Sequence, residues 1–279
     1  MDEYKIGHIG KLGSIEKVAE AKGEMLPHLS RGGTLIRNLD DEWIERLTRR
    51  HKGRTITFSA DKKADVSLKN YEEQGEQGSV ITVLVRSETV VIHMNTFGIH
   101  NVMNGLAAIA AGVALLVDTD AIRRGLENFR PIEKRMKLYR LENNIRLMDD
   151  SYNANPEAMQ LSLNTVGRLS KAGGGRFIAV LGDMAELGDH TEEAHAELGR
   201  SAAETGVHRL FYLGRMYPLV VRGAEEKGLN RSSIIGFDSH ESLIAALKKE
   251  AGANDWILVK ASRSMGLDRV AKAMGANED

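Results

Sequence analysis

The stretch Ile145-Arg146-Leu147-Met148-Asp149-Asp150-Ser151-Tyr152-Asn153-Ala154-Asn155-Pro156-Glu157-Ala158-Met159 reads as a buried strand running straight into a helix. Ile145 to Met148 is an apolar run of strand length, and Pro156 suits the first helical position with Asn155 as its cap. Asp149 and Asp150 therefore fall at the carboxyl end of a strand, against a helix N-terminus. In open α/β sheets ligands bind there, and the helix N-terminus favours phosphate. A plain polar turn would explain one acid and the cap. It explains less well why two acids, a tyrosine and two asparagines crowd one turn, which marks the turn as a candidate site.

Outward from this stretch, the second half of the chain keeps the same alternation. Strands are predicted over 145–148, 177–181, 209–213, 233–237 and 256–261, and helices over 156–170, 191–205, 217–227, 241–251 and 267–274. Apolar strands alternating with such helices predict a mostly parallel, doubly wound α/β sheet. The first half differs. It carries an amphipathic helix over 14–29, strands over 34–38, 55–59, 80–85 and 89–94, a polar turn over 72–78, an Ala-rich helix over 101–117 and a shorter one over 120–128. The change falls between Pro131 and Leu141, and the expected domains are 1–137 and 138–279.

The 279 residues are enough for two domains with full cores. Net charge is −1 with the signs interspersed, aromatic content is 5%, and no basic stripe carries aromatics, so no nucleic-acid partner is expected. The absence of cysteine excludes disulfides and thiolate metal sites and is compatible with a reducing cytoplasm. The longest apolar stretch, Leu106 to Val117, is about half of the roughly 20 residues that a spanning helix needs. Met1 to Lys5 lacks a basic flank before an apolar core, so no signal peptide is read there. A cytoplasmic protein with no membrane span is expected.

Several polar residues ask for an explanation. At helical spacing Lys22 falls within the stripe Ile15, Val18, Met25 and Leu26. Either its stem packs along the stripe with the charge reaching water, or the amine is paired or modified. Asn101 and Asn104 lie one turn apart at the start of the Ala-rich helix, where capping accounts for one of them. Arg135 sits at the domain junction. Gly182-Asp183-Met184 and Lys260-Ala261-Ser262-Arg263-Ser264-Met265 each end a strand at the ligand-binding edge, and the polar donors of the second favour an anion or carboxylate. Glu186 and His195 read equally well as helix-start and surface residues.

Together the 149–159 block, His8 with Lys22-Gly23-Glu24, His100-Asn101-Val102-Met103-Asn104, Arg135, Gly182-Asp183-Met184 and Lys260 to Met265 resemble the Mur ligases in the order that family has them. The likeness is closest to the D-alanyl-D-alanine-adding branch. It implies a C-terminal doubly wound Rossmann-like domain preceded by the second half of a Mur-ligase-type ATPase domain. It further implies ATP-dependent addition of D-alanyl-D-alanine to a UDP-N-acetylmuramoyl-tripeptide through an acyl phosphate, with ATP and Mg²⁺ as cofactors. By this resemblance Lys22, as a carbamate, and His8 attend the metal. His100, Asn101 and Asn104 lie by the adenine, with Asn104 the preferred base contact. Arg135, Asp150 and Asn153 clamp the nucleotide, with Lys22, Arg135 and Asp150 in the catalytic set. Asn155, Asp183, Lys260, Ser262 and Arg263 face the substrates. Lys134 stands where the family usually has glycine, and Ala261 likewise.

The family's phosphate loop, ending in Gly-Lys-Thr or Gly-Lys-Ser, does not occur in these residues, and Gly173-Gly174-Gly175-Arg176 precedes a strand as a turn. The chain therefore resembles the C-terminal portion of such an enzyme and is expected to be inactive alone. Two alternatives stand beside this reading: a non-catalytic chain complementing a separate N-terminal half through an exposed sheet edge, and a sister Mur or folylpolyglutamate-type ligase.

Overall fold

The computed structural model describes residues 13–30 and 32–276. Among them the chain divides into two compact units at Arg130/Pro131.

The first unit is built on a five-stranded sheet in the order β1-β2-β3-β4-β5, with β1 Thr34–Asn38, β2 Arg54–Ser59, β3 Val66–Glu73, β4 Ser79–Val85 and β5 Glu88–Met94. β1, β2 and β3 are parallel, and β3, β4 and β5 are antiparallel. Helix α1 is Ile15–Gly23, α2 Glu42–Thr48, α3 Ile99–Ala114 and α4 Thr119–Asn128. In α3, Val102, Leu106, Ile109 and Val113 are buried against Ile81, Val83 and Ile92 of the sheet. Such side chains, each stabilising by about 1.5–3 kcal/mol when fully buried, form this unit's core. Two elements are additional to the sequence reading. β3 carries apolar residues only at its start, and α2 is a seven-residue helix whose Asp41 cap accepts from the Trp43 and Ile44 N–H groups.

The second unit holds a six-stranded sheet in the order β10-β9-β8-β11-β7-β6: β6 Lys137–Arg140, β7 Arg146–Asp149, β8 Phe177–Gly182, β9 Arg209–Leu213, β10 Ile234–Phe237 and β11 Trp256–Lys260. All neighbours are parallel except the edge strand β6, which runs antiparallel to β7. Helices are α5 Pro156–Gly173, α6 Thr191–Glu204, α7 Tyr217–Glu226, α8 His240–Glu250 and α9 Asp268–Ala273. One face of the sheet packs Leu147, Val180, Phe211 and Val259 against Leu243 and Leu247 of α8 and Val270 and Ala271 of α9. Helices α5, α6 and α7 pack on one another in succession. The sheet is therefore doubly wound, as the alternation predicted.

The segment 131–137, placed with the first domain by the sequence, packs with the second instead. Lys134 pairs with Asp268 at 2.7 Å, the Met136 N–H donates to Asp150 at 3.1 Å, and Lys137 begins β6.

Candidate active site at the carboxyl edge of the second sheet

The strand order decides which motifs meet. β11 lies between β7 and β8, so the residues after all three strands converge, although Asp150 and Lys260 are far apart in the chain. The Asp150 N–H donates to the Val259 carbonyl at 3.0 Å, and the Ser262 N–H donates to the Asp183 carbonyl at 3.1 Å, stitching the three strand ends together.

Within this cluster one set of motif residues faces inward. Lys260 is 2% exposed, and its ammonium donates to Asp150 at 2.5 Å and to the Asn153 carbonyl at 3.1 Å. The Asp150 carboxylate also accepts from the Ser162 hydroxyl at 2.6 Å and the Met136 N–H. With these bonds made, Asp150 and Lys260 hold the 150–153 turn in place. Asp183 is likewise engaged: it accepts from the Tyr212 hydroxyl at 2.8 Å, the Arg215 N–H at 2.9 Å and the Met216 N–H at 3.1 Å, fixing the turn into α7. Burial beside Asp183 pushes the Tyr212 hydroxyl far above the usual phenol range. Ser262 accepts from the Ala185 N–H at 2.7 Å, and Asn155 caps α5 by accepting from the Ala158 N–H at 2.8 Å.

His195, read from sequence as a residue that could lie at the surface, is completely buried. Its Nε2 accepts from the Met184 N–H at 2.9 Å, and Nδ1 faces the Thr191 carbonyl at 2.6 Å, which assigns the proton to Nδ1. Burial lowers its pKa from the ordinary value, outweighing the Thr191 hydrogen bond. Asp149 is buried too. Desolvation raises its pKa, against the lowering effect of Ser151, whose N–H donates to it at 3.0 Å.

A second set faces solvent: Arg135, Tyr152, Asn153 and Arg263. The Arg135 guanidinium lies 4.1 Å from the Tyr152 ring centroid and that of Arg263 lies 5.5 Å from it. Neither arginine has a carboxylate partner among the described residues. Lys134 occupies the left-handed region at φ 61°, as a glycine would, and its carbonyl accepts from the Tyr152 N–H at 3.0 Å. The Asp268 carboxylate beside Lys134 raises its pKa, and Lys134 in turn lowers that of Asp268. The unusual residue at this position thus keeps the turn that aims Arg135.

In the first unit, Asn101 is fixed by donating to the Phe97 carbonyl at 2.8 Å and lying 3.1 Å from the His100 Nε2. Asn104 is exposed and touches Asn101 at only 3.4 Å, which leaves its carbonyl oxygen available to a base edge. Lys22 is exposed rather than set in an apolar stripe: α1 ends at Gly23, so Met25 and Leu26 lie beyond the helix, and only Val18 and Ala19 are buried. His8 lies outside the described residues. Sequence reasoning gave no role to Tyr152, Ser162 or the Met136 N–H; only the tyrosine's place in a crowded turn signalled it.

Comparison with known proteins agrees with this architecture. Residues 5–112 match the family described as Mur ligase middle domain, and residues 134–263 match Mur ligase, glutamate ligase domain. The UDP-N-acetylmuramoyl-tripeptide--D-alanyl-D-alanine ligase of Bacillus subtilis is 31% identical over 265 residues, covering 95% of this chain and 56% of the relative. The ligase of that name from Synechocystis is 33% identical, covering 96% and 55%. The chain thus spans little more than half the length of these relatives. Among solved structures, MurF from Acinetobacter baumannii superposes with a TM-score of 0.83 at 23% identity, covering 98% of this chain and 58% of that one. MurF from Thermotoga maritima in complex with ADP gives 0.78 at 22% identity, covering 96% and 59%.

Proposed function

Because the chain belongs to the Mur ligase family, carrying its middle and glutamate-ligase domains, we propose that it serves ATP-dependent addition of D-alanyl-D-alanine to a UDP-N-acetylmuramoyl-tripeptide. The observation that carries this reading beyond the relatives' names is the sorting of residues at the carboxyl edge of the second sheet. The acids and the lysine are spent on holding the turns, while two arginines without acid partners and Asn153 are left outward. That arrangement suits an anionic reaction better than acid–base work by a free carboxylate.

In the proposed reaction a tripeptide carboxylate oxygen attacks the γ-phosphorus of ATP and ADP leaves. The dipeptide amine, having lost a proton, then attacks the acyl carbon and phosphate departs. Asn104 would meet the adenine edge, and Arg135 with Asn153 would attend the phosphoryl charge. Arg263 would face the incoming carboxylate. Asp150, Lys260, Asp183, Ser262 and Asn155 act through the backbone they hold and touch no reacting atom.

Mg²⁺ would offset triphosphate charge in such a reaction. Among the described residues no group of three His, Asp or Glu could hold a metal. Lys22 as a free amine offers no oxygen, and only its carbamate would supply a ligand suited to this cation. The expected partner His8 lies outside the described residues, so of that pair only Lys22 is described.

The 279-residue protein alone should release ADP from ATP only at the no-enzyme rate, since it contains no Gly-Lys-Thr or Gly-Lys-Ser loop. Robust ADP formation by the pure chain would overturn that part of the reading. A complementing role has one observation in its favour: among the described residues β1 is an edge strand with a single neighbour, a template for a further strand. Copurification with a polypeptide bearing a phosphate loop would support that role, and a stable monomer without such a partner would count against it.

A further inference from the structure

Three separate segments bring side chains to one ring. Tyr152 rises from the turn after β7, Arg135 from the segment before β6, and Arg263 from the turn after β11. Each approach is anchored. The Tyr152 N–H is held by the Lys134 carbonyl, and Asp268 and Asp150 pin the residues on either side of Arg135. The Ser262 backbone before Arg263 is tied to Asp183. The nearby carboxylates Asp150 and Asp268 are taken by Lys260 and Lys134.

Two guanidinium groups thus lie against one aromatic ring, and among the described residues neither has a carboxylate partner to offset their mutual repulsion. The ring's negative face compensates part of it. An oxyanion that both donor forks reach would compensate the rest, because each guanidinium presents a rigid fork that matches phosphate or carboxylate. The Tyr152 hydroxyl has no partner among the described residues, so its ring and not its polar tip carries this contact.

We propose that Tyr152 is a positioning residue that holds Arg135 and Arg263 as a pair, so that both act on one oxyanion. The inference deepens the ligase reading by joining two arginines given separate duties there, and it rests on that reading only for their being site residues. The shared ligand chemistry is an oxyanion with two accessible edges. Its source is a phosphoryl group or the carboxylate of the incoming dipeptide.

The test uses the full chain at low ionic strength, titrated calorimetrically with inorganic pyrophosphate and, separately, with D-alanyl-D-alanine. At least one should bind, and the one that does identifies the source. Tyr152→Phe keeps the ring and should bind within about twofold of the unsubstituted protein, whereas Tyr152→Leu should weaken binding about three- to tenfold. Arg135→Gln and Arg263→Gln should each weaken it at least as much. In the Tyr152→Leu background, Arg263→Gln should add little. A merely structural ring would leave Arg263→Gln its full effect in that background. Stacking in solution is read separately: the side-chain NMR signals of Arg135 should be shifted by the ring current in the unsubstituted and Phe proteins and return to solvent-exposed values in the Leu variant. Binding of neither probe, or unaltered binding and unaltered Arg135 signals in Tyr152→Leu, would overturn the proposal. Absence of ligase activity in a restored enzyme would leave this result standing and count only against the reaction proposed above.

Discussion

Lys260 shows how much of a motif can be structural. An ammonium 2% exposed persists only where partners replace water, and here Asp150 and the Asn153 carbonyl do so. Lys260→Met would leave the partly buried Asp150 carboxylate without its cation. It should lower the unfolding free energy in urea by about 3–5 kcal/mol, and adding Asp150→Asn should recover part of the loss. His195 gives a prediction of opposite chemistry. Its folded pKa is depressed below the ordinary 6.5, so the neutral ring's stabilising bond to the Met184 N–H is fully present above pH 6.5 and is lost as pH falls through the folded value. Urea midpoints measured between pH 8 and 5 should fall on the acid side, and His195→Gln should flatten that slope. The residue types in the motifs were legible in the sequence. Which of them turn inward was not, because that depends on β11 inserting between β7 and β8, and Asp150 meets Lys260 across 110 residues.

At the scale of elements, apolar runs and caps were the reliable signals. Every strand of the second sheet except β6 was readable, since β7 to β11 each contain a run of consecutive apolar residues. β6 is a four-residue edge strand and β3 is largely polar beyond Ser67, so neither offers a period to read. Helix α1 was read too long because Met25 and Leu26 continue its apolar spacing after the helix has ended. Small residues set one further contact. A Cβ at Gly223 of α7 would lie 1.8 Å from the Ala196 carbonyl oxygen of α6, and one at Gly199 would lie 2.1 Å from the Val220 carbonyl oxygen. The two helices therefore pack backbone to backbone. Gly223→Ala should force them apart and destabilise the second unit by about 1–3 kcal/mol, read as a lower thermal midpoint in circular dichroism.

At the scale of the whole molecule, each unit carries its own share of the residues proposed for the chemistry. The first presents Asn104 at the head of α3, and the second presents Arg135, Asn153 and Arg263 at the carboxyl edge of its sheet. No helix among the described residues is long and apolar enough to cross a membrane. The order of motifs along the chain made the two-unit plan readable. The exact boundary was not, because 131–137 is held by contacts with Asp268 and Asp150, far along the chain from it or beyond the next strand.

Amide formation by a chimaera tests the proposed reaction itself. In it this chain replaces the 265 matching residues of the Bacillus subtilis relative. The folded chimaera would be supplied with ATP, UDP-N-acetylmuramoyl-tripeptide and competing amino donors, and its products read by mass. The product should carry D-alanyl-D-alanine in preference to single amino acids, form only with ATP and be abolished by Arg135→Gln. A folded chimaera that binds ATP yet joins a different donor, or joins none, would contradict the proposed reaction.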